Sequence, residues 1–164
     1  MLLFNLAFRF LPEYYQSYGK PFHWIKRGLL SIALSSCGKN VNIGFACAIS
    51  PRIEIGNYSS FGSRCVFQGG VRIGSDVMMG PDVKIYTRNH NIDDVSQSMR
   101  LQGDSFSPVS IGDDVWIACN VVILPGVTIS SHTVIGAGTI VTHDVPDYAV
   151  VVGNPAKVLR FRNR

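Results

Sequence analysis

Among 164 residues, one histidine stands where chemistry is easiest to place. His90 lies in the polar run Arg88-Asn89-His90-Asn91-Ile92-Asp93-Asp94. Imidazole titrates near neutrality and is the usual general base for a hydroxyl nucleophile. Asn89, Asn91, Asp93 and Asp94 could orient its second ring nitrogen or hold an acceptor molecule. A solvated loop histidine has the same composition around it. Trp116 follows Ile111-Gly-Asp-Asp-Val115 between two apolar positions, so its indole should project outward. There it serves as a subunit contact or as a flat wall for a ligand. The formal net charge of +4 is modest and local, with Lys157, Arg160, Arg162 and Arg164 crowding the C-terminus. Such a tail suits nucleic acid, a membrane or a phosphorylated cofactor. Only Phe161 stands among these residues, short of the interleaved aromatics of a nucleic-acid platform, so no nucleic-acid partner is expected. His132 and His143 fall on different strands, and three-histidine zinc sites need convergent geometry, so no metal is expected.

The elements that must position these residues follow from a six-residue beat. Apolar markers stand at Ile43, Ile49, Ile55, Phe61, Phe67, Ile73, Met79 and Ile85, and again at Ile111, Ile117, Ile123, Ile129, Ile135 and Val141. Small or β-branched residues follow four positions later, as at Cys47, Ile53, Ser59, Val115, Val121 and Thr133. Six residues suit a short strand plus a turn, with both positions pointing inward and the frequent following glycine easing the bend. Three strands close a triangular coil of eighteen residues, which sets Ile55-Gly56 over Ile73-Gly74. Coils then stack at roughly 4.8 Å. The expected fold is therefore all-β, a three-sided prism of about five coils running from about Val41 to Pro146. Sandwiches and barrels have irregular turns every 8–12 residues instead. The beat breaks once, over residues 86–110, a polar excursion with Gly103, Pro108 and no period. Long excursions of this kind are usually functional.

The chain reads as one domain, 41–164, with a terminal decoration, 1–40. Leu2, Leu3, Leu6 and Phe10 have helical spacing before Pro12, and a second helix is expected from about Pro21 to Ser36, stopped by Gly38. This cap covers the first coil or a neighbour; attachment to a membrane surface is the alternative, and basic residues are sparse for it. The first ten residues are expected to be neither a secretory signal nor a membrane span. Flat apolar faces associate side by side, so a closed oligomer is expected. Cys37, Cys47, Cys65 and Cys119 have no metal spacing. Cys47 and Cys65, eighteen apart, should stack as buried thiols, as in a reducing cytoplasm.

The beat, the loop histidine and the tail together resemble the hexapeptide-repeat acyltransferases. The likeness covers roughly residues 41–160. It is strongest from Ile73-Gly-Ser-Asp-Val-Met-Met-Gly-Pro-Asp-Val83 to His90, and from Ile111-Gly-Asp-Asp-Val-Trp-Ile-Ala118 to Gly153-Asn-Pro-Ala-Lys-Val-Leu-Arg160. Within that family the chain looks most like the galactoside and maltose acetyltransferases and the O-acetyltransferases of cell-surface polysaccharides. The resemblance implies a left-handed parallel β-helix, a homotrimer and acetyl-CoA as donor, with a hydroxyl of a sugar or glycan as acceptor. His90 matches the catalytic histidine, and Trp116 the tryptophan of the pantetheine channel. Ala118 and Cys119 match residues whose backbone faces the pantetheine and thioester. Gly136, Ala137 and Thr142 match the segment at the lower pantetheine and nucleotide, and His143 stands where lysine is common. Lys157 and Arg160 match residues that meet the cofactor phosphates. Asp82 falls near the acceptor, with Asn89 and Asp93 beside the histidine. Cys119 stands where serine is found in the galactoside enzymes, and an acyl-carrying role for its thiol is an alternative to direct transfer. Serine O-acetylation, N-acylation of a nucleotide sugar, and a non-catalytic or metal-binding scaffold are the competing functions.

Overall fold

The computed structural model describes residues 34–163, and Gly28 before them. The chain forms the expected three-sided parallel β-helix. Ser36–Cys37, Ile53–Ile55, Val71–Ile73, Val109–Ile111 and Thr128–Ile129 make the first face. The second face holds Asn42–Ile43, Ser60–Phe61, Met78–Met79, Trp116–Ile117, Val134–Ile135 and Ala149–Val152, and is closed by Lys157–Phe161 running antiparallel. Ala48–Ile49, Val66–Phe67, Lys84–Ile85, Val122–Ile123 and Ile140–Val141 make the third. These are five full coils and the start of a sixth. Every marker from Ile43 to Val141 is buried, and so is the position four later, from Cys47 through Val77 and Val115 to Thr139. The two inward residues of each strand and turn are thus the whole core, which is why the period is six.

Two expectations need correction. The coils begin earlier than Val41: Ser36 and Cys37 pair with Glu54 and Ile55, so Cys37-Gly38 is itself a marker pair, six residues before Ile43-Gly44. The rest of the expected helical cap lies outside the described residues. The glycines after the markers also do not make the bend. The left-handed residue is the third after most markers; ten of these are not glycine, among them Ala46, Tyr58, Asp82 and Asp114, and Tyr148 adopts it in the last turn, with φ between +51° and +63°. Each costs on the order of 1 kcal/mol relative to a right-handed residue, offset by the ladder on either side. The marker glycines permit close stacking instead. A Cβ on Gly44 would lie 2.6 Å from the carbonyl carbon of Gly62 in the next coil.

The four cysteines are free thiols. Cys47 and Cys65 are buried and both direct their sulfur at the Gly62 carbonyl, 3.2 Å away in each case.

Candidate active site

Corners rather than faces carry the free polar groups of a prism, and the three corners here differ. Between first and second faces, the backbone N–H two residues after each marker is capped by a side chain of the next coil. Lys39 donates to Asn57 Oδ1, Asn57 to Ser75 Oγ, Ser75 to Asp113 Oδ1 and Asp113 to Ser131 Oγ, at 2.7–3.1 Å. Between second and third faces the same positions on the last three coils are held by Pro81, Cys119 and Ala137. None offers an oxygen, and among the described residues the N–H groups of Cys119 and Ala137 find no acceptor in the chain. Two donors on consecutive coils are therefore left for an external carbonyl. Ala118, paired with Cys119 in the sequence reading, is different: its N–H is committed to the Ile135 carbonyl at 2.9 Å. Of that pair only Cys119 can serve an oxyanion through its backbone.

Trp116 lies beside this corner, on the second face. Its side chain is outward and half exposed, as expected. Register places Met78, Trp116, Val134 and Val150 side by side in one outward row, with Arg160 next on the closing strand. At roughly 4.8 Å per strand, Trp116 to Arg160 spans about 14 Å. Gly136 is needed in this region because a Cβ there would lie 2.7 Å from a methyl of Val152. The row is an apolar track with a cation at one end and two free amide donors along its edge.

The excursion leaves from the opposite corner, between third and first faces. It is narrower than the aperiodic 86–110 expected from sequence, since Val109–Ile111 already belongs to the first face. It is also ordered. Arg88–His90 pairs antiparallel with Asp104–Phe106, so His90 stands opposite Asp104. Arg88 bonds Asp104 at 2.7 Å and lies over the Phe106 ring. The carboxamide of Gln102 accepts from the Asp94 N–H and donates to the Asp94 and Gln97 carbonyls, closing the loop on itself. Asp94 accepts from Ser96 and Gln97, which holds its carboxyl below the usual carboxylate range. Asn91 donates to the Gln102 carbonyl. Neither residue therefore orients His90. The imidazole is exposed, with Asn89 and Asp93 exposed beside it, and has no hydrogen-bond partner among the described residues.

One chain thus divides the predicted residues between two corners. Trp116, Ala118, Cys119, Gly136, Ala137, Lys157 and Arg160 lie on or beside the second face. His90, Asn89, Asp93, Thr142 and His143 lie at the third-to-first corner, where the Thr142 hydroxyl meets His143 Nδ1 at 2.8 Å. Asp82 is on the Cys119 corner, one coil earlier. Both its oxygens accept from the Arg64 fork, at 2.9 and 2.6 Å, which holds its carboxyl below the usual range. An acceptor there would meet an ion pair rather than a lone carboxylate. Sequence reading missed Arg64, although Arg64 and Asp82 are one eighteen-residue coil apart.

Comparison with known proteins adds to this geometry. A family model described as bacterial transferase hexapeptide (six repeats) matches residues 108–143. Galactoside O-acetyltransferase of Escherichia coli K12 is 41% identical over 114 residues, covering 68% of this chain and 55% of that protein. The chain spans between 42% and 66% of the length of the first curated relatives it matches. The crystal structure of a maltose O-acetyltransferase from Clostridium difficile 630 superposes with a TM-score of 0.87 at 33% identity, covering 99% of this chain and 84% of that one. A hexapeptide-repeat acetyltransferase of Vibrio cholerae complexed with acetyl-coenzyme A superposes with a TM-score of 0.85 at 27% identity, covering 99% and 85%.

Proposed function

We propose that this chain, which belongs to the hexapeptide-repeat transferases, moves an acetyl group from acetyl-CoA to a hydroxyl of a sugar or glycan. The observation that carries this reading is the pair of uncapped N–H groups at Cys119 and Ala137, beside a track that runs from Trp116 to Arg160. A donor with an extended amide-bearing arm and a phosphorylated end fits that order of groups. The complexed and named relatives support the same donor and acceptor classes.

The site closes between copies. Outward positions of the first face are polar, Ser36, Glu54, Arg72, Ser110 and Thr128, whereas those of the third are Ala48, Val66, Lys84, Val122 and Ile140. The aliphatic third face is the one to bury against other copies. In a ring of three with that face turned inward, the two corners flanking it abut neighbours on either side. The His90 corner of one copy then meets the Cys119 corner of the next, and Thr142 and His143 line the same seam. The two groups of residues that one chain keeps apart converge there.

In the seam, neutral His90 takes the proton of the acceptor hydroxyl as its oxygen attacks the thioester carbonyl. The Cys119 N–H, and no longer Ala118, receives the oxyanion. The imidazolium then gives its proton to the departing thiolate. Atoms balance without an enzyme-bound acyl group. The test is thiol release from acetyl-CoA across a panel of saccharides; CoA binding without turnover on any hydroxyl acceptor would favour a scaffold instead.

Mixing tests the seam. His90→Ala and Trp116→Ala chains, each weak at limiting acetyl-CoA, are denatured and refolded together. At equal amounts, about a quarter of the seams in a threefold ring combine an intact His90 with an intact Trp116 from the next copy. Activity should recover to about that fraction of the original. No recovery would place both residues in one chain's own site.

A further inference from the structure

Three turn residues on consecutive coils form a small cluster at the first-to-second corner. Asp114, His132 and Tyr148 each occupy the left-handed turn position, with φ of +51°, +61° and +63°, so the repeat itself stacks them. His132 Nδ1 meets Asp114 Oδ2 at 2.9 Å, and the Tyr148 ring stacks on the imidazole at 4.8 Å and 15°. The tail returns to this cluster after the last strand. Arg162 Nη1 donates to Asp114 Oδ2 at 3.1 Å and to the His132 carbonyl at 3.0 Å, and the Arg162 N–H donates to the Tyr148 carbonyl at 2.7 Å. The Asp114 carboxyl is held below its usual range, first by His132 and then by Arg162.

The strand that this contact ends needs an anchor. All five residues of Lys157–Phe161 are exposed, and among the described residues the strand is paired at one edge only. Its register also breaks: Val152 pairs with Lys157 and Val151 with Val158, but Val150 pairs with Arg160. Residues three apart in a regular strand face opposite sides. The bulge absorbs Leu159 and returns Arg160 to the side of Lys157, the outward side shared with Trp116.

We propose that Asp114, His132 and Arg162 are positioning residues, a latch that fixes the closing strand so that Lys157 and Arg160 together meet the phosphates of the donor. The inference rests on the acetyl-CoA reading, and its test separates the two. In the full chain, Arg162→Ala and Asp114→Ala should speed hydrogen exchange over 157–163 by about tenfold. The KM for acetyl-CoA should rise by about tenfold, with kcat at saturating donor within about twofold. The KM for acetyl-pantetheine, which lacks the nucleotide phosphates, should not move. Lys157→Ala and Arg160→Ala should raise the acetyl-CoA KM without changing exchange, and Arg162→Lys should restore part of both properties. Unchanged exchange in Arg162→Ala and Asp114→Ala overturns the latch. An equal rise in KM for acetyl-pantetheine overturns the positioning role, because the damage is then general. If the unaltered protein neither binds nor turns over acetyl-CoA, the functional reading falls and the positioning role with it, while exchange still decides whether the latch exists.

Discussion

Replacing His90 with alanine should lower turnover by about 10²–10⁴, the usual contribution of a positioned general base. The fold should not suffer. The His90 imidazole is exposed and makes no hydrogen bond among the described residues, while the hairpin that carries it is held by other groups. Those groups are the Arg88–Asp104 pair, the Gln102 carboxamide and the Asp94 cap, none of which uses the imidazole. Calorimetric binding of CoA should stay unchanged, since in the proposed seam the donor track lies on the second face of the neighbouring copy. Loss confined to kcat is the signature of an interaction made in the transition state. A variant with normal turnover would remove His90 from the chemistry and leave the exposed loop histidine as the better description. Among the described residues nothing orients the ring's second nitrogen; in the proposed seam the acceptor or the next copy does so, and catalysis should then depend on assembly as well as on His90.

The six-residue beat made the prism legible because each marker is buried for the same reason, and a single rule repeated fourteen times leaves little room for another fold. The same regularity explains the outward placement of Trp116, which sits between two inward positions. What the beat could not reveal is what differs between corners. The Ala118 N–H is spent on the Ile135 carbonyl as part of the ordinary ladder, whereas the capping of the Cys119 N–H, which has no partner among the described residues, depends on which side chain stands one coil above, eighteen positions away. A reader who wrote the chain in rows of eighteen would find Ser131 above Asp113 but Ala137 above Cys119. Past the excursion that row length holds until the last coil, where Val134 pairs with Val150; across the excursion the spacing changes to thirty-eight, as between Ser75 and Asp113, and the alignment is lost. The first coil was misassigned because Cys37 is a weak marker and an apolar helical pattern runs up to it. The hairpin gave no alternating pattern because its strands bury neither face. The bulge at Leu159 is set by pairing across Val150–Val151, and nothing local announces it.

The backbone of Cys119 offers the sharper separation of mechanism from packing. Proline at this position removes the N–H and the thiol with little harm to the fold, because the structure already tolerates proline there: Pro81 holds the same place on the same corner one coil earlier. The Ala118 bond to Ile135 and the Asn120 bond to Pro81 both remain available. Proline fixes φ and deletes a donor, so the cost of Cys119→Pro beyond that of Cys119→Ala falls on oxyanion stabilisation. Removing one such donor typically lowers kcat by about 10²–10³. Thermal unfolding should change far less than a core substitution would cause. Cys119→Ala keeps the N–H and discards the thiol. It should retain turnover within about threefold if transfer is direct, whereas an acyl-thioester route through Cys119 requires both variants to be inactive. Inactivity in both Cys119→Pro and Cys119→Ala would exchange the roles of backbone and sulfur and end the direct-transfer scheme. Full activity in both would move the oxyanion donor away from this corner, with the uncapped Ala137 N–H the next group to remove.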